Sequence, residues 1–336
     1  MKYRIIQTGI NFFDLEINLM ISNRKNILSI DTHLELTSIE DASKILSFNN
    51  EVVVLDSLNN GFLVGNGKFL QERILSYVNP FLLVYNKNPQ YYAVYNKNLE
   101  LILKDVHNFG RTLISSYIID GIGASSNIRI SNLNELEKTS AFPLYSLGTW
   151  PDGAVEKPYQ VNEFCGIYNK TLVCTLNSGA VLLLDIEKGE IVKFIENAKF
   201  PRMLYVDNEN ENIYKGLFGR RYIELDVNIG VITREVIIED QLRKLKGIND
   251  ETVFWASIGR SYLYDGLFYF GIETNDIGIF DPVSAKVVDY HEFEFDKSKG
   301  QQLKGGKENL QVKDGIIYCL DTLGNLYELE SEKLKS

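Results

Sequence analysis

Apolar and polar positions in this chain follow one pattern that returns along its length. A short apolar strand leads into a polar turn, and a second strand then ends on an acidic or amide residue before another turn. The clearest copies begin at Lys170, Asn212, Gly266 and Gly315. Their short apolar runs are rich in Val, Ile, Tyr and Phe and are bounded by Asn, Asp, Gly and Ser, which is typical of β-strands. The pattern predicts an all-β chain built from repeated hairpins.

The residue that ends the second strand of each hairpin marks the length of the repeat. In the four clearest copies this residue is Asp185, Asp226, Asp281 and Glu330, at intervals of 41, 55 and 49 residues. Weaker copies end near Asp31, Asn66, Asn96 and Asn132, at intervals of 35, 30 and 36 residues. A four-stranded blade of a β-propeller needs roughly 40 to 50 residues, so the repeat predicts a propeller of seven or eight blades. Because the upstream intervals are tight for four strands, we expect one weak hairpin to be a decoration and favour seven blades.

The C-terminal repeat ends after about three strands, which predicts how the propeller closes. An open propeller would leave sheet edges free to pair with other chains. We therefore expect residues 2–9 to supply the missing strand of the last blade and residues 1–336 to be a single domain. Within it the sequence predicts a long inter-strand loop at residues 142–160 and short helices at residues 38–47 and 239–247, where apolar residues recur three or four apart.

Composition excludes several classes of protein. The net charge of −10 is spread along the chain, and no dense Lys/Arg run with interleaved aromatic residues is present, which argues against nucleic-acid binding. No run of 18 apolar residues and no export signal is found, so we expect no membrane contact and a cytoplasmic location. The 3 cysteines and 3 histidines lack the spacing of metal ligands. We predict no metal, no cofactor and a monomer.

Three arginines lie near the predicted starts of innermost strands and form the first candidate site. Arg111, Arg202 and Arg260 occupy similar places in different repeats. Such residues converge around the central channel of a propeller, where guanidinium groups could hold a carboxylate or phosphate, with an acidic residue such as Asp207 or Asp265 assisting. The alternative is that each arginine pairs with a neighbouring aspartate. No known catalytic motif accompanies them, so no catalytic residue is predicted.

The predicted loop at residues 142–160 forms the second candidate site. It contains Tyr145, Trp150 and Tyr159 together with three prolines that stiffen it. Tyr and Trp on a rigid loop provide contact area at low entropic cost and are frequent hot spots of protein interfaces. The alternative is a packed cap over the edges of the blades.

The best-formed repeat runs from Asp314 to Glu330. It resembles the blades of quinoprotein-like propellers, in which a DG turn, a Tyr-bearing strand, a second Gly turn and an L-Y-x-L strand recur. This resemblance, to the quinoprotein-like (PQQ-like and WD-like) class of repeat, is clear over the last 170 residues and faint before them. The tryptophan-docking motif of those blades is absent, and nothing matches a set of quinone or calcium ligands. The resemblance therefore implies the fold and no cofactor.

A rigid propeller without a catalytic motif predicts a non-catalytic protein-binding module. Within that class we hypothesise an immunity-type inhibitor of a bacterial toxin, because an acidic protein would attract a basic toxin or effector electrostatically. The alternative is binding of a small anionic ligand or glycan, or hydrolase or lyase activity, at the mouth of the channel.

Overall fold

The computed structural model describes residues 1–336 except 49–50, 59, 64–68, 79, 88–89, 106–110, 122–126, 197–202, 248–256 and 332–336. The described residues are almost entirely β-structure. Strands in the first part of the chain are β1 (Lys2–Gln7), β2 (Ile10–Asp14), β3 (Leu19–Ser22), β4 (Asn26–Ser29), β5 (Glu35–Ser38), β6 (Ala42–Phe48), β7 (Glu51–Asp56), β8 (Asn60–Leu63), β9 (Phe69–Val78), β10 (Phe81–Lys87), β11 (Gln90–Tyr95), β12 (Leu101–Asp105), β13 (Arg111–Ile114), β14 (Tyr117–Asp120), β15 (Asn127–Asn132) and β16 (Glu135–Pro143).

The second part of the chain continues the same pattern. Its strands are β17 (Thr149–Asp152), β18 (Val155–Pro158), β19 (Val161–Tyr168), β20 (Thr171–Leu176), β21 (Val181–Asp185), β22 (Glu190–Ile195), β23 (Tyr205–Val206), β24 (Ile213–Phe218), β25 (Arg221–Asp226), β26 (Val231–Ile237), β27 (Arg260–Tyr264), β28 (Leu267–Gly271), β29 (Asp276–Asp281), β30 (Lys286–Glu292), β31 (Leu310–Lys313), β32 (Ile316–Leu320) and β33 (Leu326–Glu330). Helix α1 (Glu239–Leu245) lies within the predicted range 239–247, and 3₁₀ turns occupy Leu144–Leu147, Lys297–Lys299 and Lys307–Asn309.

By compactness the chain divides into two units. One unit comprises Met1–Lys104, Tyr269–Phe280 and Val287–Ser336, and the other comprises Asp105–Phe268 and Asp281–Lys286. The prediction that the whole chain is a single domain stays a prediction.

The strands form repeated antiparallel sheets, which are the blades of a β-propeller. We number the blades in chain order: blade 1 (β2–β5), blade 2 (β6–β9), blade 3 (β9–β12), blade 4 (β13–β16), blade 5 (β19–β22), blade 6 (β23–β26), blade 7 (β27–β30) and blade 8 (β31–β33 with β1). Strands β17 and β18 form a separate two-stranded hairpin between blades 4 and 5.

The described residues form eight blades, so the prediction of seven was wrong. Blades 2 and 3 share one seven-stranded sheet because β9 belongs to both. Near its start β9 pairs with β8, with Phe69 opposite Phe62, and near its end it pairs with β10, with Val78 opposite Phe81. One unbroken strand thus replaces the turn that normally separates two blades. Because no turn residues are needed between these two blades, the short upstream intervals still hold complete blades. None of the weak hairpins is therefore a decoration.

The N-terminal strand completes the last blade, as predicted. β1 pairs antiparallel with β33, from Lys2 opposite Glu330 to Gln7 opposite Leu326. The order of blade 8 is β1, β33, β32 and β31, so strands from opposite ends of the chain share one sheet. The edge that β33 would otherwise expose is therefore covered.

The acidic residues that mark the repeat have a local structural role. In blades 5, 6 and 7, the side chains of Asp185, Asp226 and Asp281 accept a hydrogen bond from the backbone N–H two residues later, at 2.9, 2.8 and 2.8 Å. This Asx-type bond starts the turn between the third and fourth strands of the blade. These three copies of the repeat are visible in the sequence because they need the same turn chemistry.

The helix predicted at residues 38–47 is wrong. Ser38 ends β5, and β6 begins at Ala42 and pairs with β7, so these residues form a strand of blade 2. Their buried positions, Ala42, Ile45 and Leu46, pack in the core between blades and not on a helix face. Tertiary pairing has overridden the local helical spacing.

The core lies between blades and is made of separate apolar layers. Within the first unit such layers join blades 8 and 1, blades 1 and 2, and blades 2 and 3. Within the second unit they join blades 4 and 5, and blades 5 and 6. The sheets of blades 1, 2 and 5 are therefore apolar on both faces, which explains the nearly continuous apolar runs of strands such as β21 in blade 5.

Candidate functional site

Of the three predicted arginines, Arg260 is the one whose side chain the structure describes. It begins β27 and is half-buried. The backbone of Arg111 begins β13 and pairs with Asp120, but its side chain lies outside the described residues, as does the whole of Arg202. The convergence of these arginines at a channel mouth stays a prediction.

The structure describes both acidic residues that were predicted to assist these arginines. Asp207 forms an ion pair with Lys215, with 2.6 Å between Oδ2 and Nζ, and its Oδ1 accepts a hydrogen bond from the N–H of Glu209. Asp265 lies in the turn between β27 and β28 at a φ of +47°. The role of the two residues beside the arginines stays a prediction.

The insertion between blades 4 and 5 divides its aromatic residues between core and surface. Tyr159 is buried and contacts the ring of Phe194 edge-on, at 5.3 Å between centroids. Trp150 is half-buried against the apolar layer of blades 4 and 5. Tyr145, in the 3₁₀ turn before the hairpin, is 71% exposed. The two alternatives for this loop therefore apply to different residues: two aromatic side chains pack and one faces solvent.

A pocket that the sequence did not predict lies at one end of blades 8 and 1. Gln7 pairs with Leu326 and Ile10 pairs with Ser22, so the link from β1 to β2 lies beside the turns β32–β33 and β3–β4. These three connections, together with Lys304 from the segment before β31, line an open pocket of about 360 Å³. The lining residues are Gly9, Ile10, Asn11, Asn23, Arg24, Lys304, Thr322, Leu323 and Gly324.

Backbone hydrogen bonds fix the walls of the pocket. The N–H of Ile10 donates to the carbonyl of Gly324, and the N–H of Asn23 donates to the carbonyl of Gly9, both at 2.8 Å. A Cβ at Gly324 would lie 2.9 Å from the carbonyl oxygen of Ile10, and one at Gly9 would lie 2.8 Å from Oδ1 of Asn23. Both glycines also have positive φ, +83° and +72°. The close approach of the three connections therefore requires glycine at these two positions.

Two cations face this pocket. Arg24 has a φ of +54°, and its backbone N–H donates to Oδ1 of Asn11 at 2.6 Å. Nζ of Lys304 donates to the carbonyl of Asn11 at 3.4 Å. Burial lowers the pKa of the Lys304 ammonium, Asp321 acts in the opposite direction, and the positive charge of Arg24 lowers the pKa further. Within the described part of the chain, neither Arg24 nor Lys304 forms an ion pair.

The nearby carboxylate of Asp321 is already saturated with hydrogen bonds. Its Oδ2 accepts bonds from Gln301, Asn325 and Tyr327 at 2.7, 2.7 and 2.9 Å. Its Oδ1 accepts bonds from the N–H groups of Leu323 and Asn325. Burial by itself would raise the pKa of Asp321, but the hydrogen bonds outweigh it and lower the pKa. This fully buried carboxylate organises the loop and leaves the pocket with a net positive lining.

The sequence carried only a weak signal for this site. Lys304 belongs to the basic segment 297–307, which by composition reads as a solvated loop, and Arg24 lies in a short polar turn. The two residues meet because β1 joins blade 8 and leads directly into blade 1. Pairing of the chain ends was predictable, but the side chains it brings together were not.

No group of three or more His, Cys, Asp or Glu side chains among the described residues could hold a metal ion. No helix among these residues has the length and apolar character needed to cross a membrane.

Comparison with known proteins places the chain in a class by its fold. No family model matches the sequence, and no curated protein matches it. The computationally designed Ika8 protein matches with a TM-score of 0.60 and 12% identity over 98% of each chain. BamB from Moraxella catarrhalis matches with a TM-score of 0.57 and 9% identity over 98% of this chain and 99% of that chain. Sqt1 from Saccharomyces cerevisiae matches with a TM-score of 0.60 and 8% identity over 98% and 99%.

These likenesses, together with the blades, define a β-propeller. BamB is a PQQ-like propeller and Sqt1 a WD40 propeller, so the predicted resemblance to both kinds of repeat is confirmed at the level of fold. At such low sequence identities the likeness shows the fold alone.

Proposed function

We propose that this propeller is a non-catalytic scaffold that binds another protein. The propeller fold is consistent with a protein-binding scaffold. A rigid framework of blades that carries an exposed insertion suits recognition, because a partner then binds without ordering a loop.

The observation that carries the proposal is the construction of the insertion between blades 4 and 5. Its base is anchored by Tyr159 and Trp150, which pack against the blades. Its outer part exposes Tyr145 by 71% and Val155 by 60%. An anchored insertion that presents the tyrosine of its 3₁₀ turn to solvent, near an exposed valine of its hairpin, offers the kind of aromatic residue that is enriched in interface hot spots.

The finer proposal concerns the chemistry of the partner. The net charge of −10 favours encounter with a basic protein, because long-range attraction raises the rate of association. We therefore propose an immunity-type role, in which the chain binds and inhibits a basic toxin or effector from a cytoplasmic location, as a monomer and without a cofactor. A salt dependence of the association rate would support a basic partner.

The test is recovery of a stoichiometric partner from the native host, followed by binding measurements with the purified partner. Tyr145→Ala and Val155→Ser should each weaken binding, together by at least about tenfold, which corresponds to about 1.4 kcal/mol. Leu34→Ser is the matched control, because Leu34 is 65% exposed and lies in blade 1 outside the insertion. Equal binding by all variants would contradict the assignment of this surface.

Failure to recover any partner, combined with turnover of a small molecule, would contradict the scaffold itself. The specific immunity role has a separate readout. A purified partner of acidic net charge, or one without toxicity in cells lacking the propeller, would remove that role while leaving the scaffold function intact.

A further inference from the structure

We propose that the pocket between the β1–β2 link and the turns β3–β4 and β32–β33, here called the Arg24–Lys304 pocket, binds an oxyanion: a carboxylate or phosphate group. This site is distinct from the insertion that carries the proposed function, and it uses none of the three arginines predicted from the sequence. The proposal rests on the charge, the geometry and the size of the pocket.

The charge of the pocket is opposite to that of the protein as a whole. The chain carries 45 acidic and 35 basic residues, yet two cations line this recess and, among the described residues, neither pairs with a carboxylate. Asp321 lies nearby, but its five hydrogen bonds already use its oxygens. Asp321 keeps its negative charge and offsets part of the positive charge of Lys304, but two cations face one carboxylate, so a bound anion would meet net positive charge.

The fold bears a cost to keep these cations where they are. Partial burial of Lys304 disfavours its charged form, and the proximity of Arg24 adds repulsion. Asn23 and Arg24 both have left-handed backbone conformations, with φ of +53° and +54°, which are unfavourable for residues with side chains. An oxyanion between the two cations would offset the free-energy cost of burying Lys304 and of the repulsion from Arg24. Strained backbone of this kind is often found at binding sites.

Hydrogen bonds hold the side chain of Lys304 and the backbone of Arg24 in place before any ligand arrives. Nζ of Lys304 donates to the carbonyl oxygen of Asn11, and the backbone N–H of Arg24 donates to Oδ1 of the same residue. The N–H of Lys304 donates to the carbonyl of Leu320 at 2.8 Å, which ties its backbone to β32. Such preorganisation lowers the entropic cost of binding.

The size of the pocket limits the ligand. A volume of about 360 Å³ lies at the lower end of the range for small-molecule sites. It suits a small organic acid, inorganic phosphate, or one acidic side chain or terminal carboxylate of a peptide. These sources share the oxyanion, and the experiment separates them.

The experiment measures binding to the intact chain by calorimetry at low ionic strength, with three probes: inorganic phosphate, citrate and a short peptide ending in Asp-Glu. The variants are Arg24→Gln and Lys304→Met. Arg24 is exposed, so its replacement should leave the fold intact even if Lys304→Met unfolds the loop. Lys25→Gln is the matched control, because this substitution removes the same charge one residue away. Lys25 pairs with Glu40 and does not line the pocket.

We expect at least one probe to bind with a dissociation constant of about 1 mM or tighter, and Arg24→Gln to weaken that binding about tenfold. Lys25→Gln should change it less than about twofold. Binding of phosphate or citrate alone identifies a free anion as the ligand, and preferential binding of the peptide identifies an acidic segment of a partner. Absence of binding for all three probes at about 20 mM, or equal losses in Arg24→Gln and Lys25→Gln, would overturn the proposal.

Discussion

Blade 6 packs against blade 5 through one face of its sheet and against blade 7 through the other, and the two faces differ in chemistry. Towards blade 5, the residues Tyr214, Ile223 and Leu225 form a dry layer with Val173 and Leu183, all of them fully buried. Gly166 makes room for this layer, because a Cβ there would lie 2.7 Å from Oη of Tyr214. The stability of this interface comes from apolar area and close packing.

Towards blade 7, blade 6 presents charged residues. The strand register places Lys215 opposite Glu224 and Glu224 opposite Arg234. Lys215 pairs with Asp207 at 2.6 Å, and Arg234 donates to Glu224 at 3.3 Å. Arg234 also donates to the backbone carbonyls of Pro282 at 2.7 Å and Val283 at 3.2 Å in blade 7.

Aromatic residues complete this polar face. The hydroxyl of Tyr222 donates to Oε1 of Glu224 at 2.7 Å, and its ring contacts Phe268 of blade 7 edge-on. Burial, and then the hydrogen bond to Glu224, raise the pKa of Tyr222, so it stays a protonated donor at neutral pH. The charges are tolerated at this depth because each has a partner.

One position of the repeat separates the two interfaces. Leu183 and Glu224 each stand two residues before the aspartate that ends the third strand of their blade, Asp185 and Asp226. The same place in the fold thus accepts a leucine in an apolar layer or a glutamate in a charged one. The backbone of a blade therefore does not determine whether the side chains on its face are apolar or charged. Directional contacts to blade 7 fix position, whereas the apolar layer supplies stability.

The largest effect should follow from a cavity in the apolar interface. Leu183→Ala removes a fully buried side chain, and we expect a loss of about 3 kcal/mol in the free energy of unfolding. Urea unfolding measures the loss. Ile191→Ala in the neighbouring outer strand is the control: Ile191 is 43% exposed, and its truncation should cost less than about 1 kcal/mol. Equal losses would show that the layer between blades 5 and 6 does not dominate stability.

A smaller loss should follow when the charged interface loses one partner. Lys215→Met keeps the length of the side chain but leaves Asp207 without its cation, and we expect a loss of about 2 kcal/mol. The two side chains retain 14% and 12% exposure, so water moderates the loss. In the double variant Lys215→Met/Asp207→Asn, the neutral amide at position 207 no longer needs a cation. Its loss in the free energy of unfolding should therefore be smaller than the sum of the losses of the two single variants. Additive losses would mean that the pair contributes no coupling.

The sequence predicts local features of these blades well, and contacts between them poorly. Asp185, Asp226 and Asp281 were recognisable because each bonds the backbone two residues away, so the requirement is contained in a few consecutive residues. The junction inside β9 was not recognisable, because a strand that passes between blades without a turn leaves no turn residues to read. The Arg24–Lys304 pocket was missed for a related reason: its two cations come from opposite ends of the chain.

The smallest effect should have the opposite sign and concerns the turns next to the two interfaces. The turn after the third strand places Gly189 in blade 5 and Gly230 in blade 6 at φ of +68° and +62°, whereas blade 7 has Ala285 at +55°. A side chain in this left-handed region is strained, and glycine is not. Ala285→Gly should therefore raise the free energy of unfolding by about 0.5 kcal/mol, after the entropic cost of glycine is subtracted.

The control for this prediction is an alanine in an ordinary conformation. Ala154 lies in the exposed hairpin turn and has no positive φ, so Ala154→Gly should leave stability unchanged or lower it. The reverse change in blade 6, Gly230→Ala, should be destabilising, because a Cβ there would also approach Cγ of Lys193 to 2.9 Å. If Ala285→Gly lowers stability as Ala154→Gly does, the hydrogen bond from Gln241 to the carbonyl of Ala285 holds that turn without strain. The turns of blades 6 and 7 would then differ in backbone energy as well as in the chemistry of the faces beside them.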